Sequence, residues 1–424
     1  MNKKIGNIFK GDKVIWMVFF FLCMISVVEV FSASSGLTYK SGSFIMPMVK
    51  HSGMLIFGVC VTVAILNVPC RYFKLLTPFL LLFSVITLLW VLAAGQNING
   101  AQRMIQIPGF TFQPSEIAKG TMILATAQIL SAMQLEKGGA DKNAFKFVMF
   151  LAVPITFFIM VENLSTAALL FCVIIMMMFI ARVPLSQLGK LFGVLAAAGL
   201  LVFAFVMLAG HDRSKENPEL TKTEVLVEKP KKKNFVEKML HRADTWKSRI
   251  DNFTDTKIVA PEDFDLDKDA QEAHANIAIV SSNYIGKGPG NSVERDFLAQ
   301  AFSDFIFAII IEEMGIFGAA FVVLLYIILL FRAARIANRC ENSFPAFLAM
   351  GLALMLATQA VMNMWVAVGL APVTGQPLPL VSKGGTSTII NCIYIGAILS
   401  VSRTAKKRDK VAADSASASP APSA

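Results

Sequence analysis

Long runs of apolar residues, separated by shorter polar stretches, cover most of the 424-residue chain. A helix that crosses a bilayer needs roughly 20 mostly apolar residues. Ten runs approach or reach this length: 14–33, 48–67, 74–94, 115–134, 145–161, 164–182, 189–209, 302–332, 344–368 and 386–402. The pattern therefore predicts an all-α polytopic membrane protein with about ten transmembrane helices.

The polar stretches divide the chain into five segments. We predict a cytoplasmic N-terminus at 1–13, helices 1–7 within 14–210, a large extracytoplasmic loop at 211–300, helices 8–10 within 301–402 and a disordered cytoplasmic tail at 403–424. Lys and Arg residues recur in alternate short loops, which places both chain termini in the cytoplasm.

The stretch between the ninth and tenth runs, residues 369–385, is rich in proline and glycine and reads GLAPVTGQPLPLVSKGG. It cannot form a regular spanning helix. Irregular backbone at membrane depth is tolerated only when it is buried in protein or lines a cavity. We therefore predict a re-entrant loop on the outer side.

Composition excludes several classes of protein. Hydrophobic residues make up 55% of the chain, too many for a soluble protein without large exposed apolar patches. The formal net charge is +10, and in a membrane protein such an excess is typical of basic cytoplasmic loops rather than of nucleic-acid binding. None of the six cysteines falls in the long polar stretch, which argues against a disulfide framework.

Acidic residues at the start of the eighth run are candidates for chemistry. Asp304 lies at the outer mouth of that run, where a carboxylate is costly unless it is hydrated or paired. Ser303 and Asp304 could cap the helix, or Asp304 could act as a general base. Glu312 and Glu313 lie about two turns deeper and could form structural hydrogen bonds or tune Asp304.

Two further polar clusters lie in the predicted outer loops. Before the fourth run stand Arg103, Gln113, Ser115, Glu116 and Lys119. Glu116 and Lys119 share a helix face, so the cluster is either an ion pair at a helix start or a site for an anionic headgroup. The sequence GKGPGNS, which includes Gly288 and Ser292, is a turn or a weak phosphate-binding candidate. The four histidines are scattered, so no zinc site is predicted.

Three stretches together resemble one known family. They are NGAQRMIQIPGFTFQPSEIAKG, GKGPGNSVERDFLAQAFSDFIFAIIIEEMGIFG and MNMWVAVGLAPVTGQPLPLVSKGGTS, in that order along the chain. They are similar to motifs of the SEDS proteins, named for shape, elongation, division and sporulation. The resemblance covers nearly the whole chain, and members of the family have ten spans.

The resemblance implies a peptidoglycan glycosyltransferase at the bacterial cytoplasmic (inner) membrane. Such an enzyme polymerises lipid II into β-1,4 glycan strands outside the membrane and releases undecaprenyl diphosphate. The motifs favour the family's division member, which acts at the septum, over its elongation member. A lipid II flippase and a scaffold that recruits a transpeptidase are the alternative functions.

The family motifs assign roles to individual residues. Asp304 is implied to be catalytic. The residues implied to bind substrate are Arg103, Gln113, Ser115, Glu116, Lys119, Gly288, Ser292, Asn363, Ser382, Lys383 and Gly384, and those implied to support the site are Glu312, Glu313, Arg242 and Arg249. The chain departs from the family pattern at Met104, Asn163, Ser165, Phe302, Ser303 and Lys383. Lys383 replaces an aromatic residue and adds a cation that could suit a diphosphate.

The resemblance also implies partners. They are lipid II as substrate, a class B penicillin-binding protein that crosslinks the strands, other proteins of the division complex, and membrane lipid. No cofactor is established by the motifs, although Mg²⁺ or Mn²⁺ could assist departure of the diphosphate.

Overall fold

The fold is described from a computed structural model. The structure describes residues 10–33, 46–94, 96–98, 101–107, 110–136, 138–209, 247, 270–298 and 301–417. Arg242 and Arg249, and most of the predicted outer loop 211–300, lie outside these residues.

A helix occupies each of the ten predicted spans. These helices are α1 (Lys13–Ala33), α2 (Met46–Asn67), α3 (Cys70–Ala94), α4 (Pro114–Ala132), α5 (Lys142–Glu162), α6 (Leu164–Ile180), α7 (Leu185–Ala209), α9 (Ile306–Ala337), α10 (Ser343–Ala367) and α11 (Thr386–Ser417). A shorter helix, α8 (Ala270–Ser281), precedes α9. The prediction of an all-α polytopic membrane fold is confirmed.

Seven of the helices in the described part of the chain are long and apolar enough to cross a membrane. They are α1, α2, α3, α5, α9, α10 and α11. In the other three spans, α6 is apolar but has only 17 residues, α7 is apolar across Leu185–Leu201, and α4 carries polar residues along its 19-residue length. The predicted orientation, with both termini in the cytoplasm, stays a prediction.

A small antiparallel sheet lies between α3 and α4. Its strands are β1 (Gln96–Ile98), β2 (Ala101–Ile107) and β3 (Phe110–Phe112), in that order. Ile105 pairs with Phe112 across β2 and β3, and both side chains are buried with Val91 of α3. The prediction that this stretch is an irregular outer loop is wrong. Strands β1 and β3 have three residues each, too few for an alternating pattern to stand out.

Two helix boundaries differ from the sequence expectation. Helix α9 begins at Ile306 rather than 302, and residues 301–304 form a turn ahead of it. Helix α11 continues to Ser417, past residue 403 where the predicted tail begins, and the disorder of that tail stays a prediction. That extension is rich in Ala, Lys and Arg, which are good helix formers.

Helix α10 is central to the packing. It contacts α4, α6, α9 and α11, and much of its surface is buried. Two polar side chains, Gln359 and Asn363, are therefore enclosed between helices. The backbone between α10 and α11, hereafter the 368–385 segment, is irregular, and many of its side chains are buried in protein. This is the irregular, protein-covered backbone that the prolines and glycines predicted.

Candidate active site

Asp304 lies in a turn rather than within a helix. We call residues 301–304 the Asp304 turn. The N-cap residue of α9 is Phe305, so neither Ser303 nor Asp304 occupies the N-cap position itself. Instead, the Ser303 hydroxyl donates to Asp304 Oδ1 at 3.0 Å. Asp304 is half-buried, at the head of an apolar helix.

Three groups from other elements hold the Asp304 turn. Asn363 Nδ2 in α10 donates to the Asp304 carbonyl oxygen at 2.8 Å. Ser382 Oγ donates to the Ser303 carbonyl oxygen at 2.6 Å, and the Lys383 backbone N–H donates to the Phe302 carbonyl oxygen at 3.0 Å. The structure thus brings together four residues of the sequence-predicted site: Asn363, Ser382 and Lys383 hold the turn that carries Asp304.

The 368–385 segment is fixed by the amide of Asn363 and by two further amides, Gln359 and Gln376, that were not predicted from the sequence. Asn363 also donates to the Gln376 carbonyl oxygen at 2.8 Å, and Gln376 Nε2 donates to Thr166 Oγ1 at 2.7 Å. Gln359 Nε2 donates to the Pro377 carbonyl oxygen at 3.0 Å. One signal could have found Gln359, because it lies one turn from Asn363 and two amides inside an apolar helix need partners.

Lys119 belongs to this support and not to an exposed binding surface. Its side chain is fully buried, and its ammonium lies 2.7 Å from Glu116 Oε1 and 3.1 Å from Gln359 Oε1. The structure therefore confirms the ion-pair interpretation of Glu116 and Lys119. The expected contact of Lys119 with an anionic headgroup is not available in this arrangement, because the ammonium is enclosed by its two partners.

The other residues of this cluster lie at the start of α4 and in the sheet. Gln113 Nε2 donates to Ser115 Oγ at 2.9 Å, and Ser115 is buried. Arg103 lies in β2, and its side chain lies outside the described part of the structure. Thr386 Oγ1 donates to the Thr111 carbonyl oxygen at 3.1 Å, so the sheet lies beside the 368–385 segment.

Glu312 and Glu313 anchor the loop at residues 284–293, which we call the glycine loop. Glu312 accepts hydrogen bonds from Lys287 Nζ at 2.6 Å, from the Val293 N–H at 3.1 Å and from the Ser292 hydroxyl. Glu313 accepts from the Gly290 N–H at 3.0 Å and from the Ser292 N–H at 3.2 Å. The structural interpretation of these two carboxylates is confirmed.

The N–H groups of the glycine loop are already engaged inside the protein. Those of Lys287 and Gly288 donate to the carbonyl oxygens of Glu312 and Glu313, at 2.9 Å and 2.8 Å. A phosphate cradle needs N–H groups that point at the ligand. The contacts of Gly288 and Ser292 are therefore structural here, and their binding of substrate stays a prediction.

Gly384 stands at the start of α11. Its carbonyl oxygen accepts hydrogen bonds from the N–H and the hydroxyl of Ser387, at 3.1 Å and 3.0 Å. A Cβ at this position would overlap the Ser387 hydroxyl oxygen. Gly384 thus shapes the end of the segment that holds Asp304, and its contact with substrate also stays a prediction.

Positive charge collects beside the Asp304 turn. The Lys383 ammonium lies 4.9 Å from the centre of the Phe302 ring. Burial lowers the pKa of Lys383, and the positive charge of Lys50 in α2 lowers it further. Among the described residues, no group of three His, Cys, Asp or Glu side chains could hold a metal ion.

Comparisons with known proteins agree with one another. A model of the cell cycle protein family of FtsW, RodA and SpoVE matches residues 12–407. A Halomonas elongata protein named "probable peptidoglycan glycosyltransferase FtsW" is 30% identical over 403 residues, which is 92% of this chain and 91% of the relative. A Geobacter protein of the same name is 27% identical over 397 residues, 92% of this chain and 96% of the relative.

Solved structures share the fold. A chain from a structure reported for "coordination of polymerization and crosslinking by a peptidoglycan synthase complex" has a TM-score of 0.66 and 22% identity, over 93% of this chain and 98% of that one. The rod shape determining protein RodA of Thermus thermophilus has a TM-score of 0.62 and 21% identity, over 94% and 98%.

Proposed function

The chain belongs to the FtsW, RodA and SpoVE family of cell cycle proteins, and on that premise we propose that it is a peptidoglycan glycosyltransferase. It polymerises lipid II into β-1,4 glycan strands and releases undecaprenyl diphosphate. The observation that carries the proposal is the Asp304 turn, which holds a half-buried carboxylate at the head of an apolar helix. A lipid-linked sugar needs its reactive centre at this boundary, since its tail lies in the membrane.

In the proposed reaction Asp304 is the general base. Its carboxylate takes the proton from the 4-hydroxyl of the acceptor sugar, and that oxygen attacks the anomeric carbon of the donor. The bond from this carbon to the diphosphate oxygen breaks, and its electron pair leaves with the diphosphate. Attack from the opposite face turns an α-linked donor into a β-linked product. A diphosphate is a good leaving group, so one carboxylate suffices without a strong general acid.

The supports around Asp304 fit this role. A general base must lie within hydrogen-bonding reach of the proton that it abstracts, and a misplacement of about 1 Å can cost about a hundredfold in rate. Asn363, Ser382 and the Lys383 backbone hold the turn at three successive carbonyl groups. We propose that these residues position the base. Arg103 and Gln113, on the adjacent sheet and helix start, would contact the sugars or the phosphates.

A divalent cation would act through the diphosphate. Mg²⁺ is usually bound by one or two carboxylates together with substrate phosphates, not by a dedicated protein cage. In the part of the chain that the structure describes, no preformed cluster could hold such an ion. We propose that Mg²⁺ or Mn²⁺, where needed, enters with the substrate.

The partner is a class B penicillin-binding protein, with other division proteins at the septum of the inner membrane. Relatives named FtsW support the division role, and a neighbouring solved structure is a chain of a peptidoglycan synthase complex. Helices long and apolar enough to span a bilayer support the multi-pass location.

The proposal is tested with purified protein, labelled lipid II in detergent and the cognate class B penicillin-binding protein. Glycan strands that resolve as a ladder on a gel are the expected result. A parallel assay follows the transfer of labelled lipid II across vesicle membranes that contain the protein. Transfer without any polymer would overturn the proposal in favour of a flippase. Absence of both would leave a scaffold role.

A further inference from the structure

Helix α2 brings a second lysine, Lys50, near Lys383. His51 in this helix is buried, and its Nε2 lies 2.7 Å from Ser26 Oγ in α1. The Ser26 hydroxyl in turn donates to the Val381 carbonyl oxygen at 2.6 Å. This chain of contacts ties α2 to the 368–385 segment two residues before Lys383. Lys50, which precedes His51, is exposed and lies close enough to Lys383 for their charges to interact.

Lys383 is fixed against the Asp304 turn. Its backbone N–H is bound to the Phe302 carbonyl oxygen, and its ammonium lies over the Phe302 ring. Phe302 and Asp304 belong to one turn, so the position of the Lys383 ammonium is set by the turn that carries the base. Neither the family motifs nor sequence spacing connected Lys50 with this turn, because the two are brought together only by packing.

The two ammonium groups have no counter-charge from the part of the protein that the structure describes. Among the described residues, no carboxylate lies within ion-pair distance of Lys50 or Lys383, although Lys119, Lys287 and Arg332 each have one. Two like charges that are close together and partly desolvated disfavour each other. An anion with two charged groups, placed between them, would relieve this repulsion.

Burial lowers the pKa of Lys383, and the nearby charge of Lys50 lowers it further. Lys119, which the sequence suggested for an anionic headgroup, is enclosed by Glu116 and Gln359 and is not exposed. Of these three lysines, the charge available at the turn is therefore that of Lys50 and Lys383.

We propose that Lys50 and Lys383 form the binding site for a lipid-linked diphosphate, with one ammonium for each phosphate group. The inference rests on the proposed function and names the group of the donor that this part of the site takes. When the anomeric carbon–oxygen bond breaks, its electron pair goes to the diphosphate oxygen and the acceptor proton goes to Asp304. Both lysines stay protonated and offset the charge that the leaving diphosphate gains.

The test measures binding to the purified full-length protein in detergent, without turnover. Three probes are compared: undecaprenyl diphosphate, undecaprenyl monophosphate and inorganic diphosphate. The variants are Lys50→Gln, Lys383→Gln and the double variant, with Lys50→Arg as the charge-conserving variant. Lys142→Gln is the matched control, because Lys142 is an exposed lysine in α5, outside the described site.

We expect each neutral variant to bind undecaprenyl diphosphate about tenfold more weakly than the wild type, with less change for the monophosphate. Lys50→Arg and Lys142→Gln should bind like the wild type. The inorganic diphosphate probe shows which part of the lipid is recognised. If it binds with the same lysine dependence, the site recognises the diphosphate alone. If only the lipid form binds, the lipid tail is also needed. Both support the proposal.

Equal affinity of the wild type and both neutral variants for undecaprenyl diphosphate would overturn it. Thermal unfolding in the same detergent shows whether Lys383→Gln is folded, and the exposed Lys50 provides the independent variant. Lysine-dependent binding by a protein that makes no glycan would support the diphosphate site and count against the glycosyltransferase. Glycan synthesis together with binding that does not depend on the two lysines would support the glycosyltransferase and count against the diphosphate site.

Discussion

At the scale of single residues, the buried pair of Glu116 and Lys119 has a large expected effect on stability. The fully buried Lys119 ammonium forms charge-assisted hydrogen bonds with Glu116 and Gln359. Removal of one partner of a buried pair leaves an uncompensated charge, at a cost of about 3–5 kcal/mol. We expect Glu116→Gln to lower the free energy of unfolding by about this amount, measured by denaturant unfolding in detergent.

Lys142→Met is the control for that measurement, since it removes an exposed ammonium and should change stability little. A Glu116→Gln protein that is as stable as the wild type but has a raised KM for lipid II would contradict the structural role. Lys119 would then be assigned to substrate binding.

The pH dependence of binding follows from Lys383. Its pKa is lowered by burial and by Lys50, so its ammonium loses its proton at a lower pH than an ordinary lysine does. Affinity for undecaprenyl diphosphate should therefore fall as the pH rises through that lowered pKa. In Lys50→Gln the pKa of Lys383 rises toward its usual value, and the fall should move to higher pH. His51, the neighbouring titratable group, is bound to Ser26 in both proteins. An identical pH profile for wild type and Lys50→Gln would count against the coupling of the two lysines.

Single positions differ in how far the sequence determines them. Asp304 could be singled out because a carboxylate at the head of an apolar run is costly without a function. The spacing of Glu116 and Lys119 predicts that they are neighbours but not whether they face protein or ligand. Lys50 carries no local signal, because its place depends on the contact of Ser26 with Val381.

At the scale of elements, the contact between α9 and the glycine loop depends on two glycines. Gly315 interrupts α9 with φ 69°, and Gly286 in the loop has φ 81°. A Cβ on Gly286 would overlap the Glu313 carbonyl oxygen, and a Cβ on Gly315 would overlap that of Tyr284. The two backbones approach too closely for any larger residue.

We expect Gly286→Ala to separate the loop from α9 and to speed amide hydrogen exchange across residues 284–293. Gly290→Ala is the matched control, since Gly290 also has a positive φ, of 85°, but a Cβ there meets no atom within 4 Å. It should cost only the left-handed strain, about 1–2 kcal/mol. Equal exchange rates in the two variants would mean that the close approach does not hold the loop.

Elements with a strong hydrophobic pattern were predicted, and elements without one were not. All ten spans are helical because each has a long apolar run. The three-stranded sheet at residues 96–112 was missed, because its strands are short and are stabilised by burial of Ile105 and Phe112 against Val91. The irregular 368–385 segment was predicted, since its prolines and glycines exclude a regular helix.

At the scale of the whole molecule, the orientation in the membrane decides whether the site faces the cell wall. The basic loops favour a cytoplasmic position for both termini, so Tyr284 should be outside and Asn342 inside, at opposite ends of α9. We expect a membrane-impermeant thiol reagent to label Tyr284→Cys but not Asn342→Cys in intact cells, with the six native cysteines replaced. Tyr284 is 71% exposed, so access does not limit the reaction. Labelling of Asn342→Cys alone would reverse the topology.

The proposed glycosyltransferase reaction depends most on Asp304. The most direct measurement compares glycan synthesis from labelled lipid II by the wild type, Asp304→Asn and Ser303→Ala, with the class B penicillin-binding protein present and equal folding verified. Asp304→Asn keeps the size of the side chain but cannot accept the proton, so we expect a loss of activity of at least about a hundredfold. Ser303→Ala removes only one hydrogen bond to the base and should retain measurable activity. Full-length glycan ladders from Asp304→Asn would contradict the assignment of Asp304 as the base.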